Sequence, residues 1–221
     1  MSWDQLMPLI LEGLWDTLYM TIPSTLLSYL IGMPLGLLLV VTGKGGIRPK
    51  PVFQSALSVT INFLRSIPFI ILLVLLFPVT RAVMGRAIGT QAIIFPLVIS
   101  AFPYVARMVE NAVREVDHGV IEAALSMGST DWQVIRKVMI PEALPSLLNG
   151  AAICMVTILG YTAMASAAGG GGLGALAITK GLNMRKYEIM YSASLTLVAL
   201  VQFMTLFGNQ ISKRLDHRIK N

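Results

Sequence analysis

The chain alternates between long apolar stretches and short polar segments. Four stretches contain no Asp, Glu, Lys or Arg, namely residues 17–43, 87–106, 143–179 and 189–212. Each has at least the roughly 18 to 20 residues that an apolar helix needs to cross about 30 Å of hydrocarbon. The pattern predicts membrane-spanning helices at about residues 17–41, 87–108, 144–167 and 189–211.

A fifth apolar stretch is interrupted by one cation. Arg65 lies inside it, but the run from Pro68 to Phe77 is strongly apolar. A long Arg side chain near one end of a span can extend to the headgroups. We therefore expect a fifth helix over residues 56–79.

Composition agrees with a membrane protein. Hydrophobic residues make up 55% of the chain, charged residues only 13%, and the mean hydropathy is +0.73. An ordinary soluble domain carries about 25% charge. We therefore expect an all-α integral membrane protein, with residues 1–221 as one domain. The single Cys154 cannot form an intramolecular disulfide and is typical of a small core residue.

The positions of the cations predict the orientation. With five spans, 12 of the 17 Lys and Arg residues fall on one side, including those of the tail, Lys213, Arg214, Arg218 and Lys220. Cytoplasmic ends of spans retain positive charge, so the N-terminus is predicted outside and the C-terminus inside. Four spans would remove this asymmetry. The net charge of +6 is thus explained by the lipid bilayer and needs no nucleic acid partner.

The longest polar stretch, residues 107–142, is predicted to be the main cytoplasmic surface. Within it, Gly119–Met127 is expected to form a short helix that ends at Gly128 in a left-handed conformation. Thr130 and Gln133 have the spacing of a capping box for a second helix. Pro141 is expected to end that second helix and to open the next.

Five positions in this segment carry a recognisable spacing: Glu122, Ala123, Ala124, Gly128 and Pro141. Taken alone, Glu122, Ala123, Ala124 and Gly128 fit an ordinary amphipathic connector at the membrane surface better than a docking helix. Set between a third and a fourth span, the segment 117–141 resembles the signature of bacterial ABC-importer permease subunits. The resemblance implies a coupling helix that docks into a groove on a separate cytoplasmic ATPase.

Further segments resemble the methionine-uptake branch of these permeases: residues 63–74, 106–112, 141–145, 160–164 and 169–174. The resemblance implies the type I ABC-importer permease fold in the cytoplasmic membrane of a bacterium. It also implies a homodimer, two ATPase subunits and an extracytoplasmic substrate-binding lipoprotein. The expected cargo is methionine, the L enantiomer with the D enantiomer as a further candidate; another small amino acid or related solute is the alternative.

The glycine cluster is a candidate surface for the binding protein: Gly169, Gly170, Gly171, Gly172 and Gly174. It lacks the Lys and the Ser or Thr of a P-loop, so we expect ATP to bind to the partner and no cofactor to bind here. A flexible exit loop is the alternative. Met164 and Tyr161, at the end of the fourth span, are candidates for closing a passage, with simple packing as the alternative.

Two other function classes fit less well. A secondary carrier would place ionisable residues in mid-membrane, and the four clean spans have none. An enzyme would need a paired acid and base or a metal cluster, so we expect neither a catalytic residue nor a metal site on this chain.

Overall fold

The computed structural model describes residues 3–215, with side chains from residue 3 to residue 212, and most of these residues are helical. The long helices are α1 (Trp3–Thr42), α5 (Thr90–Arg114), α8 (Ile140–Met164) and α10 (Tyr187–Leu215). The shorter ones are α2 (Pro51–Arg65), α3 (Phe69–Leu75), α4 (Phe77–Met84), α6 (His118–Ser126), α7 (Asp131–Val134) and α9 (Leu173–Ala175). Two π-helical segments, Ile135–Met139 and Leu176–Asn183, and a 3-10 turn, Ala165–Ala168, join some of them.

Four helical stretches in the described part of the chain are long and apolar enough to cross a membrane. They are Trp3–Thr42, Thr90–Arg114, Asp131–Ala168 and Tyr187–Ser212. The first begins 14 residues earlier than the predicted span and so includes the acidic N-terminal segment in the same helix. The predicted all-α membrane architecture is confirmed.

The second predicted span, over residues 56–79, contains a break and is not one continuous helix. Helices α2 and α3 meet at an angle of 97°. The break contains Pro68, whose φ of −57° and ψ of 136° lie outside the helical region. Proline has no N–H for the helical ladder and disfavours a helical conformation in the residue before it. Counted as one broken span, the pair brings the total to five.

Small residues let α1 and α5 approach closely. Ser28, Gly32 and Gly36 recur at four-residue intervals and are all buried. A Cβ added at Gly32 would lie 2.7 Å from the carbonyl oxygen of Phe102 and from the Cβ of Val105. Small residues at this spacing allow close backbone contact between helices in lipid, where the hydrophobic effect does not drive helices together.

Helix α5 forms the centre of the buried core. Its residues Ile93, Leu97, Val105 and Val109 are fully buried and belong to one cluster with apolar residues of α1, α3 and α8. By contrast, in the most apolar part of α10 only 11% of the residues are buried within this chain. The outer face of α10 is therefore available to lipid or to a second protein.

Candidate functional site: the coupling segment and the passage

The short helix predicted in the polar segment is confirmed, one residue earlier than expected, as α6. The carboxylate of Asp117 caps it by accepting a hydrogen bond from the N–H of Gly119 at 2.7 Å. At the other end, Gly128 has a φ of 81°, and the N–H of Ser129 donates to the carbonyl of Ala124 at 3.1 Å. This left-handed turn, favoured by glycine, reverses the chain sharply.

The predicted capping box is also confirmed. The hydroxyl oxygen of Thr130 accepts from the N–H of Gln133 at 3.4 Å, and the side-chain oxygen of Gln133 accepts from the N–H of Thr130 at 2.9 Å. Both contacts satisfy amides that a helix start leaves free. The segment is therefore a helix, a glycine turn and a second helix.

The expectation that Pro141 ends the second helix was wrong. Helical structure continues from Asp131 to Ala168. Just before the proline, the segment Ile135–Met139 is π-helical, and the N–H of Ile140 donates to the carbonyl of Ile135, five residues earlier. A widened turn accommodates a residue that cannot donate a hydrogen bond and whose ring crowds the preceding turn. The second helix of the coupling segment is thus continuous with the fourth predicted span.

Helix α6 has one face toward the protein and one away from it. Ile121 and Ala124 are buried in the core of this chain. Glu122 and Ala123 are exposed, as is Met127, whose side chain is 79% exposed. Of the predicted docking residues, Ala124 therefore seats the helix on its own protein, while Glu122 and Ala123 are available to a partner.

The coupling segment is attached to the ends of α1 and α5. Arg48, in the loop after α1, forms an ion pair with Asp131 at the start of α7. A cavity of about 150 Å³ lies among Ile47, Val113, His118 and other residues of the same junction. This junction places residues of α6 and α7 next to the C-terminal end of α5 and the loop after α1.

A cluster of three charged residues, Arg107, Glu110 and Arg114, lies in the C-terminal part of α5. Glu110, whose side chain is only 6% exposed, accepts hydrogen bonds from Arg107 at 2.6 Å and from Arg114 at 2.9 Å. Arg107 also donates to the backbone carbonyl of Ser58 at 3.0 Å and so ties α5 to α2. The expectation that residues 107–142 form a cytoplasmic surface is thus wrong for Glu110. The spacing of three and four residues on one helix was the available signal.

The two residues predicted to close a passage lie at the same end of α8, in different settings. The ring of Tyr161 stacks on Phe69, with the ring centroids 4.7 Å apart and the planes 8° from parallel. Met164 is half-exposed. Phe69 is the first residue of α3, directly after the break in the second span. A role for Tyr161 and Met164 as a gate stays a prediction.

The glycine cluster is a tightly packed turn. Gly170, Gly172 and Gly174 are buried, whereas Gly169 is exposed. Gly172 has a φ of 97°, and a Cβ there would lie 2.8 Å from the hydroxyl of Thr17. Gly171 is closed in by Asp16 and Thr90. The packing differs from that of a flexible exit loop, and only part of the cluster is open to a partner.

The glycine turn contacts α1 in its N-terminal half, and the coupling segment contacts the loop after its C-terminal end. The hydroxyl oxygen of Thr17 accepts from the N–H of Leu173 at 2.9 Å, whereas the coupling segment meets the loop after Thr42. Twenty-five helical residues separate Thr17 from Thr42, a rise of roughly 38 Å. This distance exceeds the ~30 Å of hydrocarbon in a bilayer, as the prediction that the two regions lie on opposite sides of the membrane requires.

Comparison with known proteins identifies the family. The family described as "Binding-protein-dependent transport system inner membrane component" matches residues 28–221. The chain belongs to this family. The probable D-methionine transport system permease protein MetI of Pasteurella multocida is 45% identical over 203 residues, covering 92% of this chain and 94% of the relative. The corresponding Vibrio cholerae protein is 44% identical, covering 95% of this chain and 93% of the relative.

A solved structure shares the fold of this family member almost throughout. A chain of the MetNI methionine ABC transporter, described as inward facing, superposes with a TM-score of 0.95 at 43% identity. The match covers 98% of this chain and 100% of the solved one. The type I ABC-importer permease fold predicted from the sequence is confirmed.

Proposed function

We propose that this chain is the membrane-spanning subunit of an ATP-driven importer that moves methionine into the cell. The observation that carries the proposal is similarity along almost the whole chain to permeases whose names specify D-methionine transport. The same conclusion follows independently from the close superposition on a methionine ABC transporter. The L and D enantiomers are both proposed as cargo.

The transporter is assembled from this chain and separate proteins. Two cytoplasmic ATPase subunits bind ATP, and α6 docks on them through Glu122, Ala123 and the apolar side chain of Met127, which is exposed in this chain. A second copy of this chain covers lipid-exposed helix surface and completes the passage. No ATP or other cofactor binds to this chain, and no covalent step takes place on it.

An extracytoplasmic binding lipoprotein delivers the substrate on the opposite side. That protein contacts the exposed Gly169 and the neighbouring turn. The turn packs on the N-terminal half of α1, far from the coupling segment. The excess of Lys and Arg on the coupling side supports a cytoplasmic location for α6, with the N-terminus outside and the C-terminus inside. The membrane is the cytoplasmic membrane of a bacterium.

The transport step follows from the connections of α6. ATP binding and hydrolysis move the ATPase subunits, and α6 transmits this motion to α5 and to the helix 131–168, which are joined to it by short turns. The movement reaches the Phe69–Tyr161 ring pair because Tyr161 belongs to that same continuous helix. Parting of this pair, together with Met164, opens the passage.

Reconstitution tests the proposal. The chain is co-expressed with its ATPase, purified and placed in proteoliposomes with the binding protein, and uptake of labelled L-methionine is measured. We expect uptake that requires ATP, competition by unlabelled D-methionine, and weak competition by unrelated amino acids. An ATPase variant that binds but does not hydrolyse ATP is the control. Uptake without ATP, or preference for another solute, would contradict the proposal.

A further inference from the structure

A polar cavity of about 500 Å³ lies between α2, α5 and α8. Its volume is in the range of small-molecule sites. Its lining combines cations, amides and a phenol with a few apolar side chains: Arg65, Tyr104, Arg107, Met108, Asn111, Ala112, Glu115, Ser146, Asn149, Gly150 and Ile153. Several polar residues that line one cavity between membrane helices indicate a water-filled path.

Residues of three helices form the cavity. Arg65 lies at the end of α2, Tyr104 belongs to α5 and Asn149 to α8. The hydroxyl of Ser146 donates to the carboxylate of Glu115 at 2.9 Å and so joins α8 to the residue that follows α5. Positions 104, 108, 111 and 115 follow one face of α5, at intervals of three and four residues. One face of α5 therefore lines the cavity over about three turns.

The two arginines of the cavity differ in their partners. Arg107 is held by Glu110 and by the carbonyl of Ser58. Arg65 is exposed at the last position of α2, beside the 97° bend. Among the ion pairs of the described residues, none includes Arg65. A cation that faces a polar cavity between apolar helices and takes part in none of these ion pairs is a candidate ligand contact.

We propose that this cavity is a transient inner site for a zwitterionic amino acid and that Arg65 contacts its carboxylate. The planar guanidinium offers two parallel N–H donors that match a carboxylate. The amide oxygens of Asn111 and Asn149 accept hydrogen bonds from the ammonium group. Met108 and Ile153 give the apolar side chain a surface in the same cavity. The inference rests on the proposed import of methionine and names a site within this chain, separate from the binding protein.

The test measures binding without the binding protein. The purified permease–ATPase complex is dialysed to equilibrium against labelled L-methionine, for the wild type and for Arg65→Gln, Arg65→Lys and Arg81→Gln. Arg81 is an exposed cation of α4 outside the cavity and serves as the matched control. We expect Arg65→Gln to weaken binding by about 10-fold or more, since a charge-assisted hydrogen-bonded contact is lost. Arg65→Lys should retain part of the affinity, and Arg81→Gln should bind as the wild type does.

A second ligand separates carboxylate recognition from general damage. Methioninol lacks the carboxylate, so it should bind the wild type weakly and with the same affinity in Arg65→Gln. Equal affinity of the wild type and Arg65→Gln for methionine would overturn the inference, as would the absence of methionine binding to the wild type. A lower melting temperature with unchanged methionine affinity would also overturn it, because Arg65 would then only anchor α2 at the headgroups.

Failure of the inference is distinguishable from failure of the proposed function. In proteoliposomes with the binding protein, ATP-dependent methionine uptake by the wild type tests the function alone. If the wild type imports methionine and Arg65→Gln has the same KM and rate, the function stands and the inner site is wrong. If the wild type imports no methionine, both statements fall.

Discussion

At the scale of single residues, environment matters more than residue type. Glu110 and Glu122 are both glutamates near the coupling junction, yet one is buried between two arginines and the other is exposed on α6. Removing one partner from a buried ionic cluster leaves an uncompensated charge, which is strongly destabilising. Glu110 therefore positions Arg107, which ties α5 to α2, whereas the exposed carboxylate of Glu122 is available to a partner protein's donor.

Gly128 is the residue whose replacement best tests the coupling hypothesis. Its φ of 81° lies in the left-handed region, where a β-branched side chain costs about 1–3 kcal/mol of strain. We expect Gly128→Val to displace the turn after α6, so that ATP hydrolysis continues while methionine uptake falls. Both rates are measured on the same proteoliposomes.

The matched control for this experiment is Gly128→Asn. Asparagine tolerates the left-handed conformation, so this variant should retain the coupling of hydrolysis to uptake. Space is not the limiting factor, because a Cβ at this position meets no atom within 4 Å. Equal uptake by the Val and Asn variants would contradict a role for this backbone conformation.

At the scale of helices, the close contact between α1 and α5 stabilises the fold. A Cβ at Gly36 would lie 2.7 Å from the Cβ of Val109. We expect Gly36→Ala to push the two helices apart and to lower the free energy of unfolding by about 1–3 kcal/mol, as overpacking does. Thermal unfolding of the purified complex in detergent measures the change.

Gly160→Ala is the comparison for that experiment. Gly160 lies on α8, and a Cβ there meets no atom of this chain within 4 Å. The same substitution should therefore leave the melting temperature close to that of the wild type. Equal destabilisation by both changes would mean that loss of glycine, and not contact between α1 and α5, is responsible.

The features that could be predicted from the sequence are those formed by residues close together in the chain. Gly128, Thr130 and Gln133 specify a turn and a cap through contacts among near neighbours, and the structure has both. The course of the chain at prolines could not be predicted, because packing against other helices decides whether a proline ends, bends or continues a helix. Nothing in the local sequence shows that the helix passes through Pro141 by widening one turn, or that Pro68 turns the chain by 97°.

The candidate sites were predicted only in part, for the same reason. The polar cavity is built from residues of three helices that are far apart in sequence, so no local motif marks it. Tyr161 was chosen from the sequence, but its partner Phe69 was not, because the stacking depends on the break before α3. Ala124 was grouped with exposed neighbours, although helical periodicity places it on the buried face.

At the scale of the whole molecule, the proposed function depends on which side of the membrane each loop lies. The native Cys154 is fully buried, so it should give little background in a labelling experiment. We expect Lys137→Cys to react with a membrane-impermeant maleimide only after the cells are opened. We expect Lys180→Cys to react in intact spheroplasts. Both lysines are exposed in the structure.

Reversed labelling of these two positions would contradict the predicted orientation. Reaction of both positions from the same side would contradict an odd number of crossings between them, and with it the span of α8. Gly171 is unsuitable for this purpose, because Asp16 and Thr90 leave no room for a side chain.

Helix α1 reaches from one of these sides to the other as a single unbroken element. It has 40 residues, including three prolines that do not interrupt it, and is roughly 60 Å long at 1.5 Å per residue. An α-helix hardly shortens along its axis, so the part of α1 that meets Leu173 through Thr17 keeps a fixed distance from the end that leads into the Arg48 loop. In the proposed assembly, the ATPase and the binding protein would therefore contact regions that one continuous helix joins, and a shift of that helix along its axis would be shared by both surfaces.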